Sequence, residues 1–117
     1  MMFRIVCEPI PERGVYRLVE SVIIEGIRID APYDWNGASI PCFLWPIIGS
    51  PFDPRFMAPA LVHDHLYETG ELPRDEADAL FKKLLIHNGV DKELAETMHS
   101  GVQLFGGSHY NRGIYHA

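Results

Sequence analysis

The chain is 117 residues long, 47% hydrophobic and 22% charged, a composition that fits a globular domain and not an intrinsically disordered one. Sixteen acidic against ten basic residues leave a net charge of −6, which argues against a general nucleic-acid binder and against docking on anionic lipid by bulk charge. No apolar stretch approaches the ~20 residues of a transmembrane segment, and Met1-Met2-Phe3-Arg4-Ile5-Val6 lacks the sustained apolar run of a signal peptide.

The length predicts one domain over residues 1–117, large enough to bury a core without staples. Cys7 and Cys42 have neither metal spacing nor the numbers for a disulfide framework, so they read as plain thiols of a reducing compartment.

In chain order, the first forty residues read as strands. A short strand near Met2–Val6 is followed by two runs rich in β-branched residues, Val15–Glu20 and Val22–Ile29. Their imperfect alternation suits a small antiparallel sheet with one solvated face. Pro9, Pro11 and Gly14 punctuate the first connection. Residues 30–55 are rich in turns. Asn36-Gly37 is a strong turn signal, Ser39 suits a helix cap, and a short helix is expected over Pro41–Ile48. Trp35 and Trp45 read as core anchors.

Three helices follow. The first runs from Pro54 to Glu68, with Pro59 inside it as a kink or a late start. The second runs from Pro73 to His87, with Asp75 and Glu76 at the positive end of its dipole. The third runs from Asp91 as N-cap to Phe105, with an apolar stripe of Leu94, Met98, Val102 and Phe105 and a stop at Gly106-Gly107. The expected fold is α+β: a small N-terminal antiparallel sheet, then a three- to four-helix half.

The chemistry-bearing residues lie on the first two helices. At 100° per residue His63 falls with Phe56, Ala60 and Tyr67 on the apolar face, Asp64 falls at its edge, and His65 points to the opposite, solvent side. An inward histidine needs a partner. If the first two helices form an antiparallel hairpin over Thr69–Leu72, Asp78 reaches His63. A carboxylate on one imidazole nitrogen fixes the tautomer and leaves the other nitrogen as a base. The catalytic candidates are therefore His63, Asp78 and Tyr67. Asp64 is the candidate ligand of a divalent cation, calcium or zinc, in a set that could extend to His63, Asp78 and His109. Asn36 and Ser39 are candidate binding residues, able to hold an oxyanion or to supply ligands to a cation. The opposing expectation is that His63, Tyr67 and Asp78 form a satisfied polar lock between two helices, and that the Asn36–Ser39 segment is only a turn.

Five motifs occur in order: Asn36-Gly37-Ala38-Ser39-Ile40-Pro41, Leu44-Trp45-Pro46, His63-Asp64-x-Leu66-Tyr67, Glu76-Ala77-Asp78-x-x-Phe81 and Val102-x-Leu104-Phe105-Gly106. Together they resemble the phage- and prophage-associated family catalogued as domain of unknown function thirteen-fifty-three. The resemblance spans residues ~15–110 and implies a bacteriophage or prophage origin. The family often carries an aspartate at the position of Asn36.

Separately, His63-Asp64-x-x-Tyr67 with the downstream Asp78 is similar to the active helices of secreted phospholipases A2. That likeness implies His63 as the base, Asp64 as the calcium ligand and Asp78 as the residue that orients the histidine. The chain departs from it in having neither the usual glycine-rich calcium loop nor the flanking disulfide cysteines.

Two functions are expected. One is a small phage hydrolase acting on a bacterial envelope component, a lipid ester or a peptidoglycan bond. The other is a non-enzymatic tail, baseplate or assembly protein, whose partners are other phage proteins. The corresponding locations are the host bacterial cytoplasm and the virion.

Overall fold

The computed structural model describes residues 3–35, 46, 49, 53–107 and 110. Strand β1 (Cys7–Ile10) leads through a 3-10 turn at Pro11–Arg13 into β2 (Val15–Leu18). A hairpin follows, β3 (Val22–Ile24) and β4 (Ile27–Ile29), and then β5 (Tyr33–Trp35). The helical half consists of α1 (Pro54–Thr69), α2 (Arg74–His87) and α3 (Lys92–Phe105). The α+β architecture is thus the expected one, with the strands divided between two antiparallel sheets of order β1-β2-β5 and β3-β4. Among the described residues no helix is long and apolar enough to cross a membrane.

The strands differ from the expected ones in two places. Val22–Ile29 is not one strand: it reverses at Glu25-Gly26, where both residues have positive φ (51° and 77°) and Ile24 pairs with Ile27. Two central residues of positive φ match the right-handed twist of the flanking strands, so the hairpin closes in two residues. The first strand starts at Cys7 rather than Met2, although Val19 N already donates to Val6 O at 2.8 Å. Pro9 is accommodated because β1 is an edge strand.

The helices form where their caps place them. Asp53 accepts from Arg55 N at 2.8 Å ahead of Pro54, and Asp91 accepts from Leu94 N at 3.0 Å. Pro59 neither delays nor breaks α1. A proline has no N–H to give to the carbonyl four residues earlier, here Arg55 O. That oxygen instead accepts from Asn88 Nδ2 at 3.1 Å, and Asn88 is buried at the end of α2.

The core has two parts, and α1 belongs to both. Leu18, Ile24, Ile29 and Trp35 of the sheets pack on Leu61, Val62 and Leu66 of α1. Phe56 of α1 packs with Phe81 and Leu85 of α2 and with Met98 and Val102 of α3. A helix lying between a sheet and two other helices is buried on more than one side, so a single-stripe reading of it fails. This explains His65: its side chain does not face open solvent but lies edge-on to the Tyr33 ring at 5.7 Å and reaches Glu71 at 2.9 Å. The stripe of α3 ends at Val102, since Phe105 is 56% exposed beside Leu104 at 74%.

Candidate functional site

The α1–α2 hairpin brings His63, Tyr67 and Asp78 together. His63 Nε2 lies 2.7 Å from Asp78 Oδ1, and Tyr67, one turn after His63, donates its hydroxyl to the same oxygen at 2.6 Å. The histidine ring packs on Tyr67 (centroids 4.1 Å apart) and on Phe81 (4.9 Å). His63 is 2% exposed and Asp78 1%. Among the described residues His63 Nδ1 is buried and has no hydrogen-bond partner.

A fourth residue, Arg74, was not among the sequence candidates. Its Nε donates to the Tyr67 hydroxyl at 3.1 Å and lies 4.0 Å from Asp78 Oδ2. Its outer nitrogen donates to Val102 O at 3.0 Å and also to Gln103 O, so the guanidinium caps the C-terminal carbonyls of α3. The signal was present in the sequence: Arg74 precedes Asp78 by four residues on one helix, the spacing of neighbours on a helix face. Burial first, and then the bond to Asp78, push the Tyr67 hydroxyl well above the ordinary tyrosine range.

The C-terminal end of α3 closes over this group. A Cβ at Gly106 would come 2.9 Å from the Tyr67 hydroxyl oxygen and 2.5 Å from Val102 O. Tyr110 stands edge-on to Tyr67 (centroids 5.3 Å apart) and donates to Leu72 O at 2.6 Å. Gly106 is therefore more than a helix stop; it leaves room for Tyr67. Partial burial lowers the pKa of His99 on α3 below the ordinary value, against the opposing pull of the Asp78 carboxylate.

Asp64 does not join His63. It is half-buried on the side of α1 that faces β5, where it influences the Tyr33 hydroxyl. Tyr33 donates to Glu68 Oε2 at 2.6 Å. Burial, then Asp64, then Glu68 hold the Tyr33 hydroxyl far above its usual pKa, because an anion there would sit against two carboxylates. No group of three or more His, Cys, Asp or Glu able to hold a metal is present among the described residues. The binding candidates Asn36 and Ser39, together with Cys42, Trp45, His109 and the expected helix over 41–48 apart from the helical Pro46, all fall outside the described residues.

These features define an α+β protein with a buried histidine–aspartate pair in a helical hairpin. The chain belongs to the family described as Protein of unknown function (DUF1353), whose model matches residues 15–102. It is 32% identical over 81 residues to Uncharacterized protein y4jT of Sinorhizobium fredii, covering 69% of this chain and 22% of that one. It is 30% identical over 71 residues to Uncharacterized protein y4iH of the same organism, covering 61% and 30%. The matched part of the chain thus spans less than a third of either relative. No solved structure matches.

Proposed function

We propose that this is a small hydrolase acting on a bacterial envelope component, a lipid ester or a peptidoglycan bond. The reading is carried by the unpartnered Nδ1 of His63 opposite an Nε2 held by Asp78. An ionised aspartate accepts a hydrogen bond and cannot donate one, so it favours the proton on Nε2 and the lone pair on Nδ1. Nδ1 then takes a proton from water as the water oxygen bonds to the electrophilic carbon. The imidazolium returns that proton to the leaving group as the scissile bond breaks. Tyr67 keeps the carboxylate in place through the second hydrogen bond to Oδ1.

The proposal keeps Asp64 as the ligand of a divalent cation, calcium or zinc, at a site beside Tyr33 and apart from His63. There the cation would brace α1 against β5 rather than act on the reacting bond. Its surroundings of Tyr33 and Glu68 supply oxygen donors, which suit calcium better than zinc. The proposal includes a phage or prophage origin, which rests on the resemblance drawn from the five ordered motifs alone.

A second reading is favoured by burial: with His63 2% and Asp78 1% exposed, the same residues suit a structural lock in a phage tail, baseplate or assembly protein. One experiment separates the two. Release of product from phospholipid vesicles and from purified peptidoglycan is followed for wild type and His63→Ala, alongside thermal melts with EDTA, calcium and zinc. Hydrolysis that His63→Ala abolishes while the fold survives supports the enzyme. No hydrolysis, with a melting point that falls sharply in the variant, supports the lock. A melting point that calcium raises in wild type but not in Asp64→Ala supports the cation site.

A further inference from the structure

Arg74, Tyr67, Asp78 and His63 form one chain of hydrogen bonds, and the direction of each bond is fixed by what the groups can do. A guanidinium has donors only, so the 3.1 Å contact runs from Arg74 Nε to the Tyr67 oxygen. A phenol has a single proton, and with its oxygen accepting from Arg74 that proton is directed to Asp78 Oδ1 at 2.6 Å. Asp78 Oδ2 lies 4.0 Å from the same Arg74 Nε, so one cation faces the carboxylate both directly and through the phenol.

We propose that Arg74 is the positioning residue of the pair: acting through the Tyr67 hydroxyl and the Asp78 carboxylate, it holds His63 in the Nε2–H tautomer. A carboxylate accepting from Tyr67 and facing a cation is held as an acceptor, so the 2.7 Å contact to His63 runs from Nε2–H to Oδ1. Nδ1 is left as the bare nitrogen. The inference rests on the hydrolase reading for its chemical consequence, since the bare nitrogen is the one that would receive the proton of water. The tautomer itself exists without substrate.

The other charged groups near the pair do not replace Arg74. Lys82 of α2 is ion-paired with Glu96 of α3 at 3.7 Å, and both act on His99 rather than standing in the hydrogen-bond chain. His99 stands near Asp78 but makes no hydrogen bond to the pair among the described residues. Arg74 is itself fixed, because its outer nitrogen grips Val102 O and Gln103 O. A Cβ at Gly107 would lie 3.3 Å from the guanidinium, so the turn after α3 closes around it. The tautomer of a histidine on α1 is in this way tied to the last turn of α3.

The test is a long-range proton–nitrogen NMR spectrum of the histidine rings of the full chain. It is recorded for wild type, Arg74→Met, Arg74→Lys and Tyr67→Phe. Wild-type His63 is expected to show one bare Nδ1 and one protonated Nε2. Arg74→Met and Tyr67→Phe are each expected to lose that single-tautomer pattern, with the two nitrogen shifts moving toward each other. Arg74→Lys, which keeps the charge, is expected to recover part of it.

If folded Arg74→Met shows the wild-type pattern, the inference is overturned. Should loss of the α3 cap unfold that variant, Tyr67→Phe decides alone, since it keeps Arg74 and its grip on α3. A wild-type pattern in Tyr67→Phe overturns the relay. A protein that shows the relay but hydrolyses nothing retains this inference and loses the enzyme reading.

Discussion

Asp34 in the N-terminal sheet and Asp78 in the helical half are both aspartates gripped by several donors, yet their surroundings differ. Asp34 stands on β5, where Arg17 approaches with two nitrogens at 2.7 and 3.0 Å and Arg13 with one at 2.9 Å. Its side chain keeps 23% of its surface in water and that of Arg13 keeps 59%. Asp78 has almost none in water, and only one of its three approaching donors carries a fixed charge. The surface aspartate is held by charge that water and salt weaken. The buried one is held by geometry, and taking away a partner leaves a polar group stranded. The ion pairs of Asp34 therefore lie at the surface of the sheet, whereas Asp78 is a polar group inside the helical half that ties α1 to α2.

The sharpest way to break the comparison is at its buried end. Asp78→Ala is expected to cost about 3–5 kcal/mol in urea unfolding, the usual consequence of removing one member of a buried pair. A loss near zero would mean the pair contributes little to holding α1 against α2. Gly106→Ala comes next, at about 1–3 kcal/mol, because the new methyl is driven against the Tyr67 hydroxyl and Val102 O. The same denaturation curves would show it, and the Tyr67 ring resonances should shift with it. Asn88→Ala is expected to cost about 1–2 kcal/mol, by freeing Arg55 O inside the fold. In a Pro59→Ala background this loss should shrink, since the alanine N–H can serve that carbonyl; a double-mutant cycle measures the coupling.

At the exposed end the effects are smaller and depend on conditions. Arg17→Gln should lower the melting point slightly in dilute buffer and hardly at all in high salt. Hydrogen bonds from Arg17 hold the Asp34 carboxyl below the usual carboxylate range. That contribution is present above the ordinary value of about 3.9 and is lost as pH falls through the lowered one. Acid unfolding of wild type and Arg17→Gln should therefore converge at the low-pH end.

The tyrosines give the opposite sign. Tyr33 and Tyr67 are both raised above the ordinary tyrosine value, so their contribution is complete below pH ~10 and declines as pH rises beyond it. Ultraviolet titration should show two tyrosines ionising only with alkaline unfolding.

Much of this was legible in the sequence because it is local. The N-cap at Asp91 and the turn between α1 and α2 follow from residues a few positions apart, and once that turn is placed the meeting of His63 with Asp78 follows. What escaped depends on contacts distant in sequence or on atypical residues in local roles. The reversal at Glu25-Gly26 was hidden because β-branched residues continue on both sides and glutamate is an unusual residue at positive φ. Pro59 could not be resolved from α1 alone, because its accommodation comes from Asn88 on another helix. His65 was misplaced because a helix covered on several sides carries no single apolar stripe. Arg74 was missed because its partners are spread over α1, α2 and α3.

The bond between Asn88 and the carbonyl beneath Pro59 also orders the changes this chain can accept over generations. A lineage that loses Asn88 while keeping Pro59 strands an oxygen in the interior. One that first replaces Pro59 regains a backbone donor for that oxygen and frees position 88 to drift. Proline should therefore depart before asparagine, and a relative that keeps the proline without the asparagine should carry some other donor within reach of the carbonyl at position 55.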